Sequence, residues 1–317
     1  ADEGGTGLFV YEKGVWQRPE LPMAGGVSNV EIDRGGRLWV TGFDGVGGLV
    51  LAVDEVAVLT VVERLPLLGG VVIENLTVTA DGQVWASALG EESMVLGEWV
   101  AEEGVWQVSA VPLPVQGIGT VSKIEVAPNG VVWLSTAAGA VRYVDGVWDS
   151  VRYQPRRNGA HGVMIDGPPR DPVNHIAVTD EGSVWFGSAL GKVGQVQMGG
   201  MLYTPERQLA TDAITAIVVE PSGAVWASNI TGRMYRFEDG VWTLYDRTLD
   251  TAEVETIVGT NTAVWLGTDE GVVSLTEERC QLVENGERDL FEVTAGLLDG
   301  EGNVWWGTRN EGGVRYE

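Results

Sequence analysis

Val78-Thr79-Ala80-Asp81-Gly82-Gln83-Val84-Trp85-Ala86-Ser87 is the stretch from which the rest of the chain can be read. An aliphatic residue leads into Asp-Gly, a dipeptide that takes the positive backbone angles of a hairpin turn at no steric cost. Apolar residues then resume in alternation, as a strand with two different faces requires. The segment reads as strand, tight turn, strand.

The same arrangement recurs along all 317 residues. A Val-Trp or Leu-Trp dipeptide ends at Trp39, Trp85, Trp133, Trp185, Trp226, Trp265 and Trp305, with successive spacings of 46, 48, 52, 41, 39 and 40 residues. Seven residues before each Trp stands an aliphatic side chain: Ile32, Val78, Val126, Val178, Val219, Val258 and Leu298. Three residues before it stands Gly36, Gly82, Gly130, Gly182, Gly223 or Gly302, with Thr262 the exception. Two residues after it the side chain is small: Thr41, Ser87, Ser135, Gly187, Ser228, Gly267 and Gly307.

A third strand follows in each copy, as in Ala140-Val141-Arg142-Tyr143 and Arg233-Met234-Tyr235-Arg236-Phe237. A fourth begins Gly-Val-Trp, at Trp16, Trp106, Trp148 and Trp242. Four strands in every ~40–45 residues is the pattern of a propeller. The predicted fold is all-β: a seven-bladed β-propeller with four antiparallel strands per blade, its ring closed by an N-terminal strand. One domain spans 1–317, with blades near 27–64, 72–110, 120–153, 173–208, 213–247, 253–285 and 289–317, and with 1–17 as closing or donated strands. The seven Trp are predicted to wedge between neighbouring blades, the small residue two places on leaving them room. No stretch reads convincingly as a helix.

Two segments carry a family resemblance. Gly302-Asn303-Val304-Trp305-Trp306-Gly307-Thr308 and Ala263-Val264-Trp265-Leu266-Gly267-Thr268 resemble the two-component regulator propeller repeat. The resemblance implies the fold of the extracellular sensor domains of hybrid histidine kinases and, more distantly, that of virginiamycin B lyase. It implies less about function, because propellers host binding, catalysis and scaffolding alike.

The strand arithmetic at the ends is unusual. The C-terminal copy ends in a third strand, Gly312-Gly313-Val314-Arg315-Tyr316-Glu317, and Gly14-Val15-Trp16-Gln17 supplies its fourth. Yet Gly7-Leu8-Phe9-Val10-Tyr11-Glu12 also reads as a third strand, so the chain carries one too many. A surplus terminal strand can pair with a sheet edge on another molecule. A head-to-tail contact of that kind does not close on itself and builds filaments. Leu8, Phe9, Val10, Tyr11, Val314, Arg315 and Tyr316 are therefore the candidate strand-pairing residues.

Composition narrows the function. Forty-five acidic against 20 basic side chains give a net charge of −25, which disfavours nucleic acid and anionic lipid as partners. Cys280 is the single cysteine, so there is no disulfide framework, and it reads as a structural thiol. No apolar run reaches the ~18–20 residues of a membrane span, so no membrane insertion is expected. Leu49 to Val62, the longest, is interrupted by Asp54 and Glu55 and reads as a hairpin. The opening Ala-Asp-Glu is what an exported, processed chain begins with, so a secreted or extracellular (or periplasmic) protein is expected.

Chemistry is sparse. No cofactor and no metal are expected: Asp299-Gly300-Glu301-Gly302-Asn303 suggests a calcium loop but falls on a turn and lacks further ligands. The irregular stretch Tyr153 to Pro172 carries Arg156, Arg157, His161 and Arg170, with His175 just after it. Such a cluster suits a carboxylate or an acidic subunit. The expected function is a secreted, non-enzymatic interaction or structural module, binding copies of itself or another protein. The alternatives are a ligand-binding sensor propeller of a signalling receptor and a virginiamycin B lyase-like enzyme. The lyase resemblance implies a His general acid/base and a magnesium site, for which only His161 and His175 are available.

Overall fold

The computed structural model describes residues 7–12, 15–17, 27–33, 37–43, 48–53, 61–65, 73–79, 82–89, 94–110, 121–137, 139–150, 153–154, 163–164, 172–179, 181–197, 201–202, 207–220, 222–245, 253–260, 263–276, 280–283, 293–298 and 302–308. Among them every regular element is a strand. Copies 1 to 6 each form their own antiparallel sheet in chain order. Copy 1 comprises Val27–Ile32, Leu38–Phe43, Gly48–Val53 and Val61–Leu65, so the interrupted apolar run is indeed a hairpin. Copy 2 comprises Ile73–Val78, Val84–Leu89, Met94–Val100 and Val105–Ala110. Copies 3 and 5 run Val121–Val126 to Val147–Ser150 and Ile214–Val219 to Val241–Tyr245. Copy 6 runs Val254–Gly259 to Cys280–Leu282. Copy 4 departs from the pattern: its third strand, Lys192–Gln197, pairs with two short strands, Met201–Leu202 and Arg207–Gln208.

The hairpin between the first two strands follows from its glycine. Gly82 has φ +87° and an added Cβ would meet nothing within 4 Å, so the backbone angle alone requires glycine there. Its N–H donates to the Thr79 carbonyl at 2.9 Å. Copy 6, which has Thr262 in that place, solves the turn differently. Trp265 pairs with Val258, seven residues earlier, whereas Trp85 pairs with Thr77, eight earlier. The loop is one residue shorter, and Thr260 Oγ1 closes it on the Ala263 carbonyl at 2.8 Å.

All seven first strands also carry a register shift at one equivalent place: Val27/Asn29, Ile73/Asn75, Val121/Lys123, Val173/His175, Ile214/Ala216, Val254/Thr256 and Val293/Ala295. A bulge leaves one residue unpaired and re-aims its neighbours. Residues at the bulge or beside it reach the next sheet. Asn29 Nδ2 donates to the Leu76 carbonyl at 2.7 Å, and Asn174 Nδ2 to that of Ile214 at 3.1 Å. Thr294 Oγ1 donates to Val27 at 3.0 Å.

Contacts divide the chain into two compact units, residues 1–108 with 252–317, and residues 109–251. Within the first, copy 6 packs on copy 7, copy 7 on copy 1, and copy 1 on copy 2. Trp39 lies among Ile73, Leu76, Val84 and Ala86 of copy 2, and Trp265 beside Val293 and Trp306 of copy 7. Within the second unit Trp133 packs on Val173, Ile176 and Phe186, and Trp185 on Ile214, Ile217 and Val225. Each of these Trp wedges against the following sheet. All seven are buried except Trp265, which is partly buried. The small residue two places on serves a different end from the one expected. A Cβ on Gly187 would fall 2.5 Å from Ile214 Cγ2, so the room is occupied by the next sheet's first strand.

Candidate functional site: the sheet shared by the two chain ends

Copy 7 draws its first two strands, Val293–Leu298 and Val304–Thr308, from the C-terminal region. Its third and fourth are Gly7–Glu12 and Val15–Gln17. The pairing is Gly7↔Thr308, Leu8↔Gly307, Phe9↔Trp306, Val10↔Trp305 and Tyr11↔Val304, antiparallel. Tyr11↔Trp16 and Glu12↔Val15 tie the two N-terminal strands into a hairpin. The N-terminus thus fills two positions of this sheet, where a single N-terminal strand was expected. Val314, Arg315 and Tyr316 lie outside the described residues.

The physical reason for the N-terminal choice is visible at one residue. Leu8 is fully buried, and the stretch 312–317 that resembles this strand in sequence has Gly313 in its place. Burying a leucine side chain contributes ~1.5–3 kcal/mol. A hairpin also fills two positions in one ordering event, which spreads the entropy of docking over more contacts. Phe9, Val10 and Tyr11 are placed by their backbone pairing.

The sheet has a packing feature that the repeat pattern hides. Where the other copies carry Val40, Ala86, Leu134, Phe186, Ala227 and Leu266 after the wedge Trp, copy 7 carries Trp306, fully buried. Opposite it stands Gly296, where the other first strands have Val, Leu or Ile. A Cβ on Gly296 would lie 2.5 Å from Trp306 Cζ3. The large and small residues have exchanged strands, and together they fill the space against Val258 of copy 6. On the other side, a Cβ on Gly307 would lie 2.7 Å from Val27 Cγ1 of copy 1. Both faces of the shared sheet are therefore seated by close contact.

Of the second candidate only His175 lies among the described residues. Arg156, Arg157, His161 and Arg170 lie outside the described residues, as do Asp299, Gly300 and Glu301. Within that stretch, read as irregular, Tyr153–Gln154 and Val163–Met164 form a short ladder. His175 bonds across to the next sheet. Its Nδ1 accepts the Ile217 N–H at 3.2 Å, joining copy 4 to copy 5. Desolvation, reinforced by the Lys123 ammonium, holds its pKa well below the ordinary imidazole value, so the ring is a neutral acceptor. Lys123 is itself paired with Glu125 at 2.8 Å. Among the described residues no His, Cys, Asp and Glu cluster could hold a metal ion, and no helix is long and apolar enough to cross a membrane.

No protein-family model matches the chain, and no curated protein matches it by sequence. Solved structures do match. The Cps50 (Swd1) β-propeller domain of Myceliophteria thermophila superposes with a TM-score of 0.64 at 14% identity, over 90% of this chain and 97% of that one. The fold is a β-propeller. A streptogramin B lyase superposes with a TM-score of 0.67 at 16% identity, over 96% of this chain and 97% of that one. Selenomethionine-substituted virginiamycin B lyase from Staphylococcus aureus gives 0.64 at 14%, over 90% and 95%. At such identities the likeness concerns the propeller alone. It nevertheless overturns the expectation that the chain is not an enzyme. The same propeller, over nine-tenths or more of each chain, carries lyases, so the fold gives no ground for excluding catalysis.

Proposed function

We propose that this chain is a seven-bladed propeller that serves as a protein-interaction or structural module and associates with further copies of itself through its terminal strands. The observation that carries this reading is the pairing of Gly7–Glu12 onto Val304–Thr308, in a chain whose sequence holds a second third strand at Gly312–Glu317. Pairing between the first and last described strands is also what a ring of seven such sheets requires for closure. A terminal hairpin that docks by main-chain pairing docks equally well on an identical acceptor in another copy. The exchanged contacts are the same, so the balance is set by concentration and by the effective concentration of the hairpin in its own chain.

The high negative charge sets a condition on assembly. Copies carrying −25 repel one another at low ionic strength and approach more readily when salt screens them. Multi-angle light scattering and negative-stain images of the full chain, at rising concentration in ~0.15 M and ~0.5 M salt, test the reading. Particles larger than one chain, built from sevenfold rings and lost on substituting Val10→Pro, are the expected result. A single-chain mass under every condition would remove self-association.

A further inference from the structure

A strand at the edge of a sheet presents unpaired main-chain groups, and natural sheets blunt such edges with charge, irregularity or shortness. Copies 1 and 3 do so with charge: Glu63 and Arg64 lie on the outer strand of the first, and Asp149 on that of the third. The outer strands Cys280–Leu282 of copy 6 and Val15–Gln17 of copy 7 are three residues long, and that of copy 4 is split in two. In copy 2 Gln107 and Ser109 make one face of the strand polar. Copy 5 has none of these protections. Its outer strand, Val241-Trp242-Thr243-Leu244-Tyr245, carries no charge, no proline and no shift of register against Met234–Glu238. Val241, Thr243 and Leu244 are exposed, and the strand ends its sheet.

The turn at Asp239 and Gly240 fixes which main-chain groups face out. Their φ angles, 51° and 80°, are those of a two-residue hairpin, which Glu238↔Val241 closes. The closing pair exchanges its hydrogen bonds, and bonded pairs alternate along an antiparallel ladder. Val241, Thr243 and Tyr245 therefore bond inward to the third strand, while Trp242 and Leu244 turn their N–H and C=O groups outward. An identical strand laid antiparallel, with Trp242 opposite the partner's Leu244 and Leu244 opposite the partner's Trp242, satisfies every one of these groups. That register sets Thr243 against the partner's Thr243 and Val241 against the partner's Tyr245. Aromatic with aliphatic and threonine with threonine are favourable cross-strand pairs, and no charge faces a like charge. The strand is its own complement.

We infer that the outer edge of copy 5 is a pairing surface for the same edge of a second copy of this chain, centred on Thr243. The contact is two-fold and closes on itself, unlike a head-to-tail exchange of terminal hairpins. One short pairing scarcely repays the freedom lost when two bodies meet, and a charge of −25 on each opposes it, so single chains meet through it transiently. Chains already held in a row by their terminal strands count the contact many times over and lie side by side. That consequence rests on the self-association reading; the pairing itself does not.

Disulfide trapping reads even a transient pairing. Full-length Cys280→Ser chains each carry one new cysteine, at Val241, Thr243 or Leu244, all exposed positions. The Thr243→Cys chain should link to itself, because a non-bonded antiparallel pair holds its Cα atoms ~4.5 Å apart, within disulfide reach. Val241→Cys and Leu244→Cys chains should give several-fold less, since neither faces its own copy in this register; Leu244 is diagonal to the partner's Leu244, at ~7–8 Å. The Thr243→Cys product should rise in ~0.5 M over ~0.05 M salt. Leu244→Pro removes an outward donor and no ladder bond, and Leu244→Glu charges the edge; each should abolish the product while thermal melts show a folded chain. No product, equal yields from the three positions, or a product that survives both substitutions would overturn the inference. The two readings fail separately, because Val10→Pro disables the hairpin and should leave this product unchanged. A chain that forms the product on oxidation, yet when reduced stays single under every condition, sinks only self-association. A chain that assembles without ever forming it sinks only the edge pairing.

Discussion

Replacing Trp185 with alanine removes one inter-sheet wedge and tests whether these residues set the stability of the stacked sheets. The side chain is 2% exposed and lies among Ile214, Ile217, Val225 and Ala227 of the following sheet. Its ring also meets Phe237 at 4.8 Å and Trp242 at 5.8 Å, both edge-on. A buried aromatic removes ~150–250 Å² from water. At ~25 cal/mol per Å² that is on the order of 4–6 kcal/mol, and the alanine Cβ retains part of it. The edge-on pairs add ~0.5–1.5 kcal/mol each, while partial collapse of the cavity returns some of the loss. The expected cost is ~3–5 kcal/mol. Urea unfolding followed by far-ultraviolet circular dichroism should show the midpoint falling at unchanged slope. Trp242→Ala, on a strand whose neighbours Val241 and Leu244 are 57% and 47% exposed, should cost less than half as much. Equal costs for the two, or a loss under ~1 kcal/mol for Trp185→Ala, would refute the wedge argument.

Other substitutions separate the remaining causes. Gly187→Ala meets Ile214 at 2.5 Å and should destabilise more than Gly82→Ala, where only the backbone angle opposes the change and the expected cost is ~1 kcal/mol, as thermal melts will measure. Asn29→Ala removes the bond to Leu76 and leaves that carbonyl unpaired, for a loss of ~1–2 kcal/mol in urea midpoints. The folded pKa of His175 lies below 6.5, so the unfolded chain takes up its proton first as pH falls. Its contribution is therefore complete above pH 6.5 and is lost as pH falls from there through the folded value. His175→Gln should flatten the change in urea midpoint between pH 7.5 and ~5 relative to the parent, and an identical slope in both would contradict the assignment.

Most of the sheet architecture was legible because one hairpin repeats with its turn chemistry intact. The positive φ of Gly82 needs glycine for a local reason, and local reasons leave a fixed mark at a fixed spacing. The common bulge was not legible. It falls at Ser28, Glu74, Ser122, Asn174, Thr215, Glu255 and Thr294, the residues the ladder register skips, and a polar residue one place into a strand carries no mark of a bulge in the sequence. The exchange of size between Gly296 and Trp306 was missed for a related reason. Each departs from its own column, and the two compensate only across the ladder. The terminal sheet was half read: the surplus strand is plain in the sequence, but that the N-terminal segment supplies two strands of this sheet, with Leu8 buried, is seen only in the ladder. His175 looked like a site residue because histidine is rare here, and its role as a neutral acceptor for Ile217 depends on a neighbour 42 residues away.

The central claim is that the position filled by the N-terminal hairpin can be filled by another copy's. Equal amounts of isotopically heavy and light Cys280→Ser chain carrying Gly7→Cys and Thr308→Cys, a pair facing across the ladder, are mixed, equilibrated and oxidised. Mass spectrometry of the disulfide-linked peptides then counts the partners. Heavy–light hybrids should approach half of all linked peptides as concentration rises. Heavy–heavy and light–light products alone, at every concentration, would mean that the hairpin never leaves its own chain.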